Sequence, residues 1–578
     1  MNPPGYNSAH TPFFVALRHL RAPLIILIAI FAVSITGLVL IPGVDAEGKP
    51  WRLDFFHALY FVSYTATTIG FGELPYAFSD AQRLWVIFCI FLSVIGWAYA
   101  IGKLFAVLQD RSFQQALTAQ RFERAVRRLG EPFYILCGYG ETGQLLARSL
   151  DHLNIQFTVL DISRDRIDEL DLQDFRFDAP GLVGDARLPN HLLLAGLKRR
   201  NCLGVVALTN DDSANLAVAI AARLLNPSIP ALCRATTGDT AANMASFGTR
   251  HVIDPFEKFG EYLALAIRSP GSYQLLEWLT GLPGTELSAE RKPPRGYWVI
   301  CGYGRFGQAI LRHIEREGLN VAIVDPNRPG DDTSLPWISG VGTRAETLRE
   351  AGIDLAVGIV AGTDDDIVNL SIVVTARELN PNLFVVLRQN LQANRELFRA
   401  FDSDFTVVPS NIIAHECLAV LTTPLLSRFL EIVKGKNDAW ADSVVARTSG
   451  VAGTEVPATW CVTLDAGGAQ AVVRQLGKTP ILLDHLLRDP ANRKARMACV
   501  PLMLVRGKEV IEMPPLESAL REGDRILFGG HGRVIARQEL NLRNQNTLNY
   551  VLLGTQATDS WLWSKIATWI GPSHKTSQ

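Results

Sequence analysis

The chain has 578 residues, of which 48% are hydrophobic, and a formal net charge of −1. A nearly neutral chain gives no indication of nucleic-acid binding, and its hydrophobic share is too low for a protein that crosses a membrane many times. The eight cysteines form no CxxC pair and no zinc-like His/Cys cluster, which is typical of core residues in a reducing compartment. The length predicts roughly three or four domains, and the composition predicts a small membrane part joined to a large soluble part.

Two uncharged apolar segments lie near the start of the chain. Residues 22–41 span 20 positions without a charge, and residues 84–101 span 18. About 20 apolar residues match a hydrocarbon core roughly 30 Å thick. A cleaved signal peptide is an alternative for the first segment, but its apolar run is longer than a usual signal core. We therefore predict two membrane-spanning helices.

Basic residues flank both predicted spans on the same side. Arg18 and Arg21 precede the first span, and Lys103 follows the second. Further arginines continue this basic stretch: Arg111, Arg121, Arg124, Arg127 and Arg128. The positive-inside rule then places both termini in the cytoplasm and residues 42–83 outside.

The outer segment contains a short apolar run followed by a glycine-rich run. Residues 55–62 are apolar apart from His57 but too few to span a bilayer, which favours a re-entrant segment. Bare backbone at membrane depth is tolerated only where it lines a cavity. The glycines at alternating positions of Thr68–Gly72 allow dihedral angles that turn successive carbonyls toward one axis. Such carbonyls can replace the water around a cation, so residues 53–75 are predicted to form a pore loop.

This run resembles the potassium-channel signature Thr-Val-Gly-Tyr-Gly. The matching residues, which the resemblance assigns to a selectivity filter holding potassium ions, are Thr68, Ile69, Gly70, Phe71 and Gly72. Three positions depart from the usual pattern: Ile69 replaces a Val, Glu73 replaces an Asp, and Phe71 lacks the hydroxyl that would tie the filter to its surroundings. One loop cannot surround an ion, so we expect a homotetramer within the lipid bilayer.

The second span and the segment after it suggest how such a pore could move. Gly96 lies inside the span, where glycine lowers helix stability. The resemblance implies a gating hinge at Gly96, and close helix packing is an equal alternative. Residues 109–132 are predicted to form a helical linker that continues directly from the span.

The rest of the chain carries a duplicated array. A strand at 133–137 leads into the glycines of 138–143, and Asp161 follows 18 residues after Gly143. The same order returns 164 residues later, with Gly302 in place of Gly138 and an aspartate at 325. A second set recurs after 154 residues: Thr209, Asp212, Asn215, Asn226, Pro227 and Arg234 return as Thr363, Asp366, Asn369, Asn380, Pro381 and Arg388. A domain has therefore been duplicated with one change in length.

Each copy has the pattern of a dinucleotide-binding fold. Strands alternate with helices, which predicts a parallel sheet with helices on both faces. The glycines permit a tight turn and close approach of phosphate to a helix N-terminus, and the acid accepts hydrogen bonds from ribose. The predicted cofactor-binding residues are Gly138, Gly140, Gly143 and Asp161 in the first copy, and Gly302, Gly304, Gly307 and Asp325 in the second. A fold kept for packing, with an empty site, is the alternative.

The two copies resemble the RCK domain, also called the KTN or TrkA-N domain, over roughly residues 133–270 and 297–430. Gly184-Asp185-Ala186 fits the Gly-Asp-Ala turn of that family, and the second copy has Thr343 in place of Asp185. Asp254-Pro255 and Val408-Pro409 fit the strand end before the helix that, in that family, crosses over between paired domains. The resemblance implies a regulatory ligand, either NAD(H) or an adenine nucleotide, and adds Asp185 to its site. A divalent cation near Glu141 and Asp185 is also possible.

The two predicted sites differ in charge just after the second glycine. The first copy has Glu141, whose negative charge would oppose a polyphosphate, and the second has Arg305, which can pair with phosphate. We therefore expected the second copy to prefer the more highly charged nucleotides. Solvent exposure of both side chains, with little effect on binding, is the alternative.

The expected architecture is a membrane α-helical pore joined to Rossmann-like α/β tandem RCK domains with a small α+β C-terminal lobe. The Gly523–Gly529 segment resembles the last strand of that lobe. The predicted parts are the pore domain 1–108, the linker 109–132, the two RCK domains 133–280 and 297–435, the lobe 445–540, and the tail 541–578.

These observations predict a potassium-selective channel gated by a cytoplasmic ligand, and not an enzyme, in a prokaryotic inner membrane. The glycine motifs also allow a membrane-anchored NAD-dependent oxidoreductase, although no catalytic domain is left over. An RCK-regulated potassium transporter is a third possibility, but such proteins usually need many spanning helices.

Overall fold

The computed structural model describes residues 12–249, 251–281, 292–328 and 335–554. They form two compact units. The first contains the residues up to Gly130 with two short segments, 180–182 and 193–196, and the second contains the remainder.

The first unit is helical and contains both predicted spans. Its elements are α1 (Pro12–Leu40), a small hairpin of β1 (Gly43–Val44) and β2 (Pro50–Trp51), α2 (Phe55–Ala66), α3 (Asp80–Gln109) and α4 (Arg111–Arg128). Residues Leu20–Leu40 and all of α3 are long and apolar enough to cross a membrane. The short helix α2 lies between them in sequence, as the pore-loop prediction requires.

Two glycines let α1 and α3 pack closely. A Cβ atom on Gly96 would overlap the side chain of Ile30, and one on Gly37 would overlap the ring of Trp85. The Trp85 indole N–H also donates to the Ser34 carbonyl at 3.2 Å. The surroundings of Gly96 thus fit the packing alternative, while a hinge at Gly96 stays an untested prediction.

We predicted that the linker helix continues directly from α3, but the two helices are separate. Asp110 adopts an extended conformation (φ −67°, ψ 124°) between α3 and α4. Its carboxylate accepts a hydrogen bond from the Phe113 amide at 3.0 Å, so it caps the N-terminus of α4. A capping aspartate satisfies first-turn amides that a continuous helix would pair with its own carbonyls, and the prediction of one unbroken helix is therefore wrong.

The first copy of the duplicated domain is a six-stranded sheet with helices between the strands. Its strands are β3 (Phe133–Cys137), β4 (Gln156–Asp161), β5 (Gly181–Val183), β6 (Cys202–Ala207), β7 (Ala231–Arg234) and β8 (His251–Ile253), and their order is β5-β4-β3-β6-β7-β8. Its helices are α5 (Glu141–His152), α6 (Arg164–Asp171), α7 (Pro189–Leu194), α8 (Asp212–Leu225) and α9 (Gly238–Ser246).

The second copy repeats this topology. Its strands are β9 (Tyr297–Cys301), β10 (Asn320–Val324), β11 (Trp337–Ile338), β12 (Gly358–Ala361), β13 (Phe384–Arg388) and β14 (Phe405–Val407), in the order β11-β10-β9-β12-β13-β14. Its helices are α12 (Arg305–Arg316), α13 (Ala345–Glu350), α14 (Asp366–Leu379) and α15 (Arg395–Phe401), with 3-10 turns at Ile353–Leu355 and Gln392–Asn394. In both copies the first strand pairs in parallel with its two neighbours, and the strand order reverses at that strand. This is the doubly wound order, which places ligands at the carboxyl ends of the central strands.

Each copy ends in a helical hairpin, and the first helix of each hairpin packs on the other copy. The hairpins are α10 (Pro255–Arg268) with α11 (Pro270–Thr280), and α16 (Pro409–Thr422) with α17 (Pro424–Lys434). Phe256 and Leu263 of α10 are buried in the core of the second copy, beside Phe306. Ile413 and Cys417 of α16 are buried in the core of the first copy. The two copies therefore exchange helices and share their cores.

The C-terminal lobe is an antiparallel sheet with helices. Its elements are α18 (Asp438–Ala452), β15 (Ala458–Thr463), α19 (Gln470–Leu476), α20 (Leu483–Leu487), β16 (Cys499–Arg506), β17 (Glu509–Glu512), β18 (Arg525–Gly530), α21 (Arg533–Arg543) and α22 (Gln545–Leu553), with strand order β15-β18-β16-β17. The helix α18 precedes the expected start at 445, and Leu548 of α22 is buried in the lobe beyond the expected end at 540. The tryptophans of the tail, Trp561, Trp563 and Trp569, lie outside the described residues.

Candidate functional site

Along the predicted filter, residues with a positive φ angle alternate with residues without one. The φ angles of Thr68, Gly70 and Gly72 are 63°, 67° and 71°, and the two residues between them are not in the positive-φ region. A left-handed conformation is unusual for a threonine and marks a strained segment. The Ile69 and Gly70 amides donate to the Tyr64 carbonyl of α2 at 2.9 and 3.2 Å. This backbone fits the prediction of a segment that lines a cavity with its carbonyls.

The start of α2 and the end of the filter segment are both fixed by carboxylates. Asp54 accepts a hydrogen bond from the His57 amide at 2.8 Å and so caps α2. The Tyr60 hydroxyl donates to Glu73 Oε2 at 2.9 Å. The ring of Phe71 contacts Tyr64 edge-on, with centroids 6.1 Å apart. Glu73, the residue after the filter, is thus hydrogen-bonded to the short helix α2. Phe71 has no hydroxyl and cannot form such a bond.

The glycine loops of the two copies have the same geometry. Gly138 and Gly302 have φ angles of 100° and 95°, which a residue with a Cβ atom rarely adopts. A Cβ atom on Gly143 would overlap the carbonyl oxygen of Gly138, and Gly307 is placed in the same way against Gly302. The middle glycine of each loop differs, because a Cβ atom there would meet only Arg166, at 3.5 Å in the first copy, and nothing within 4 Å in the second. Each middle glycine therefore faces space into which a ligand could come close.

The two predicted ribose acids hold the glycine loops in place. Asp161 Oδ2 accepts from the Tyr139 amide at 2.6 Å, and its Oδ1 accepts from the Ser163 amide at 2.8 Å. Asp325 accepts from the Tyr303 amide at 2.7 Å in the same way. Contact of either acid with a ribose stays a prediction.

A cavity of about 560 Å³ lies at the glycine loop of the first copy. Of the residues predicted to bind the cofactor in this copy, Gly138, Gly140, Asp161 and Asp185 line it and Gly143 does not. Glu141 lines it as well, and contact of these residues with a ligand stays a prediction. The second copy contributes a further wall, made of Arg305, Arg388, Asn390, Leu391, Pro409, Ser410 and Ile413. The site is thus composite, because the exchanged helix α16 brings the second copy to the glycine loop of the first.

Five arginines line this cavity: Arg166 and Arg187, which pair with Asp161 and Asp185, and Arg234, Arg305 and Arg388. Arg388 is only 8% exposed, and its Nη2 pairs with Asp364 at 2.8 Å while its Nε has no hydrogen-bond partner. Arg234 donates to Asn210 at 2.6 Å, and its Nε is likewise without a partner. Burial lowers the pKa of Arg234 and of Arg388, and the positive charge of Arg305 lowers both further. Repulsion between buried cations favours the binding of an anion.

The placement of Arg305 differs from the expectation that it would serve the second copy. It lines the cavity of the first copy and forms no hydrogen bond or ion pair within the described part of the chain, and its guanidinium lies 5.9 Å from the Phe256 ring. Glu141, which we expected to oppose phosphate, accepts a hydrogen bond from the Gln392 amide of the second copy at 3.0 Å. Glu141 of the first copy and Arg305 of the second copy, which differ in charge, therefore line the same cavity.

The possible divalent-cation site gains no support from the geometry. Asp185 accepts hydrogen bonds from the Arg187 guanidinium at 2.8 and 3.0 Å, and this pairing lowers the pKa of its carboxyl. Among the described residues, no three His, Cys, Asp or Glu side chains are grouped as metal ligands would be. A cation at Glu141 and Asp185 stays an untested prediction.

Two arginines of this cavity were not predicted as site residues, although their recurrence in the repeat was a signal. Arg234 and Arg388 were recognised as members of the repeat but not as site residues. The recurring asparagines are structural, since Asn215 donates to the carbonyls of Thr209 and Arg234 at 2.9 and 3.0 Å. Asn369 does the same in the second copy. These bonds fix the ends of the strands that carry the two arginines.

Comparison with protein families identifies both parts of the chain. Residues 24–110 match the ion channel family. Residues 134–255 and 298–409 both match the TrkA-N domain. Together with the two apolar helices, the first match makes the chain a membrane protein.

Relatives of the chain include two proteins of Methanocaldococcus jannaschii. The chain is 26% identical over 266 residues to potassium channel protein 1, covering 46% of this chain and 75% of that protein. It is also 26% identical over 225 residues to the probable potassium channel protein 2, covering 39% of this chain and 64% of that protein. Among solved structures, the GsuK channel bound to NAD aligns with a TM-score of 0.44 at 17% identity, over 92% of this chain and 99% of that one. The chain therefore carries an ion-channel domain followed by two TrkA-N domains, and it is homologous to archaeal potassium channel proteins.

Proposed function

We propose that the chain is one subunit of a homotetrameric, potassium-selective channel in a prokaryotic inner membrane, with both termini in the cytoplasm. The alternating backbone of Thr68–Gly72 carries this proposal. Such a backbone, placed after a short helix and between two spanning helices, suits carbonyls that replace the hydration shell of potassium. One chain supplies a single strand of carbonyls, and four chains are needed to surround an ion.

The regulatory ligand in this proposal is an adenine nucleotide or NAD(H), bound in the cavity of the first copy. The volume of about 560 Å³ is within the range of about 300–1,000 Å³ that is usual for small-molecule sites. The glycine loop and Arg234, Arg305 and Arg388 suit phosphate groups, and Asp161 is the acid that would bind the ribose in this proposal. The nucleotide acts as an effector and not as a substrate.

Gating then follows from the composite nature of the cavity. A ligand that contacts both copies favours the arrangement in which its contacts are complete, and it shifts the equilibrium by its difference in affinity for the two arrangements. The second unit continues directly from α4, and α4 follows α3 through Asp110. A change in the cytoplasmic unit is thus transmitted to the pore along the chain.

Recordings from the purified channel in planar bilayers test both parts of the proposal. We expect potassium to permeate far better than sodium, and ADP or NAD on the cytoplasmic side to change the open probability. Gly140→Ala should abolish the nucleotide response without unfolding, because its methyl group would meet no atom closer than 3.5 Å yet would occupy the face open to the ligand. Gly304→Ala is the matched control in the second copy, where a methyl group has no neighbour within 4 Å.

Each part has its own contradicting result. Equal permeability to sodium and potassium would contradict the filter. A nucleotide response that survives Gly140→Ala and is lost in Gly304→Ala would move the effector site to the second copy.

A further inference from the structure

The second residue of each exchanged helix differs greatly in size between the two copies. Phe256 follows Pro255 at the start of α10, and Ser410 follows Pro409 at the start of α16, 154 residues later. The residues before the two prolines have similar backbones, with φ −101° and ψ 111° before α10, and φ −112° and ψ 101° before α16. Phe256 and Ser410 therefore occupy equivalent positions, Phe256 beside the second copy and Ser410 beside the first.

In the first copy, the space beside Ser410 is open. Ser410 lines the cavity of about 560 Å³, and so do Glu141 and Thr142 at the start of α5 and Arg234 at the end of β7. The cavity continues from these residues to the glycine loop at Gly138. The crevice at the carboxyl ends of the strands, where doubly wound folds bind their ligands, is therefore open in this copy.

In the second copy, the ring of Phe256 fills the matching space. It contacts the ring of Phe306 edge-on, with centroids 5.7 Å apart, and its centroid lies 4.9 Å from the Arg388 guanidinium and 5.9 Å from that of Arg305. These three neighbours are the counterparts of first-copy residues that line the cavity: Thr142, Arg234 and Glu141. Phe256 is buried with Phe306 in the core of the second copy. A side chain thus occupies in the second copy the space that is cavity in the first.

The cavity ends at Phe256 and does not extend to the glycine loop of the second copy. Several second-copy counterparts of cavity residues do not line it: Gly302, Gly304, Phe306 and Asp325. Gly304 is exposed, so the second loop lies at the surface. Small-molecule sites usually enclose most of the ligand, and an exposed loop beside a filled crevice does not offer such an enclosure.

We propose that Phe256 closes the second copy to the nucleotide, so that the difference between Phe256 and Ser410 decides which copy binds it. This inference rests on the proposed function, in which the first cavity binds an adenine nucleotide or NAD(H). The discrimination is steric, because a phenyl ring occupies the crevice in one copy and a hydroxymethyl group leaves it open in the other. One chain then binds one nucleotide, although it carries two glycine loops.

Calorimetry with ADP on the full-length channel in lipid nanodiscs tests this inference through the number of sites per chain. The wild type should bind one ADP per chain. Phe256→Ser copies Ser410, opens the crevice of the second copy and should raise the number to two. Adding Gly304→Ala to this variant should return the number to one, because the added site lies at the second glycine loop.

Phe259→Ser is the matched control for Phe256→Ser. It removes a ring of equal size from the same helix and the same core, but Phe259 does not line the cavity. The number of ADP molecules bound per chain should therefore stay at one.

A further variant makes the opposite change and decides the question even if Phe256→Ser does not fold. Ser410→Phe adds a ring to the open crevice of the first copy and should weaken ADP binding at least about tenfold. Two ADP molecules per chain in the wild type, one in Phe256→Ser, or an unchanged ADP affinity in Ser410→Phe would overturn the role of Phe256 and leave the proposed function standing. If the wild type binds neither ADP nor NAD, the proposed nucleotide site itself is overturned.

Discussion

At the scale of single residues, Glu73 is placed to stabilise the filter segment that it follows. Its carboxylate accepts a hydrogen bond from Tyr60 in the middle of α2, at 2.9 Å. Phe71 offers only a ring contact with Tyr64. A hydrogen bond to a charged acceptor is stronger than a neutral one, so the Tyr60 hydroxyl can supply the connection that Phe71 lacks.

Tyr60→Phe removes that hydrogen bond and keeps the ring. We expect channel openings to shorten about tenfold and the tetramer to remain assembled. Single-channel dwell times measure the effect. Tyr76→Phe is the control in the same outer segment, because the ring of Tyr76 contacts Trp51. Dwell times that match those of the control would contradict the stabilising role of Glu73.

The residues of the cytoplasmic cavity were only partly accessible from the sequence. The glycines and Asp161 were predictable because they belong to one strand-loop-helix unit whose local geometry demands them. Arg305, Arg388 and Ser410 line this cavity although they belong to the second copy, whose helix α16 packs on the first copy. That contact joins residues far apart in the chain, and no local pattern reports which copy a helix will cover.

At the scale of elements, Asp110 decides where the pore helix ends. It closes α3 and caps α4 through the Phe113 amide. Composition alone predicted one continuous helix, because the segment that follows α3 is charged and α4 contains no glycine or proline. A single capping side chain is enough to break a helix when it satisfies the first-turn amides.

Asp110→Ala should loosen the first turn of α4. Loss of an N-cap costs about 0.5–2 kcal/mol, and a frayed linker should transmit less of the nucleotide response while the single-channel conductance stays unchanged. Hydrogen exchange of the α4 amides, with the dose-response to ADP, measures both effects. Asp110→Asn keeps a capping acceptor and is the control; an Asp110→Ala channel that responds as this control does would show that the cap has no part in coupling.

The helix α18 shows the opposite failure of local reasoning. Its sequence contains threonine, two serines and Gly450, all weak helix formers, and the lobe was predicted to begin only at residue 445. Ala441 and Val444 are fully buried against α11, α17 and the lobe sheet. Burial of this face outweighs the weak propensities, and such tertiary contacts are not visible in a local window.

At the scale of the whole molecule, the exchange of α10 and α16 makes the two TrkA-N domains depend on each other. The alternation of strands and helices in the repeat predicted a parallel sheet in each copy, but not its strand order. The exchange was implied only by the resemblance to the RCK domain, in which the helix after Asp254-Pro255 and Val408-Pro409 crosses over between paired domains. The structure assigns Ile413 of α16 to the first core and the adjacent Ile412 to the second.

These neighbouring isoleucines give a direct test of that dependence. Ile413 is 1% exposed, and Ile413→Ala should destabilise the first copy by about 2–5 kcal/mol, the usual cost of such a cavity. Ile412→Ala should cost less, because Ile412 is only partly buried, and should act on the second copy. Hydrogen exchange should therefore rise in β3 and β4 for Ile413→Ala, and in β9 and β10 for Ile412→Ala.

Since Ile413 also lines the cavity, its substitution should weaken nucleotide binding as well. Faster exchange in the second copy after Ile413→Ala would mean that the helices are not exchanged, and the composite cavity would then lose its basis.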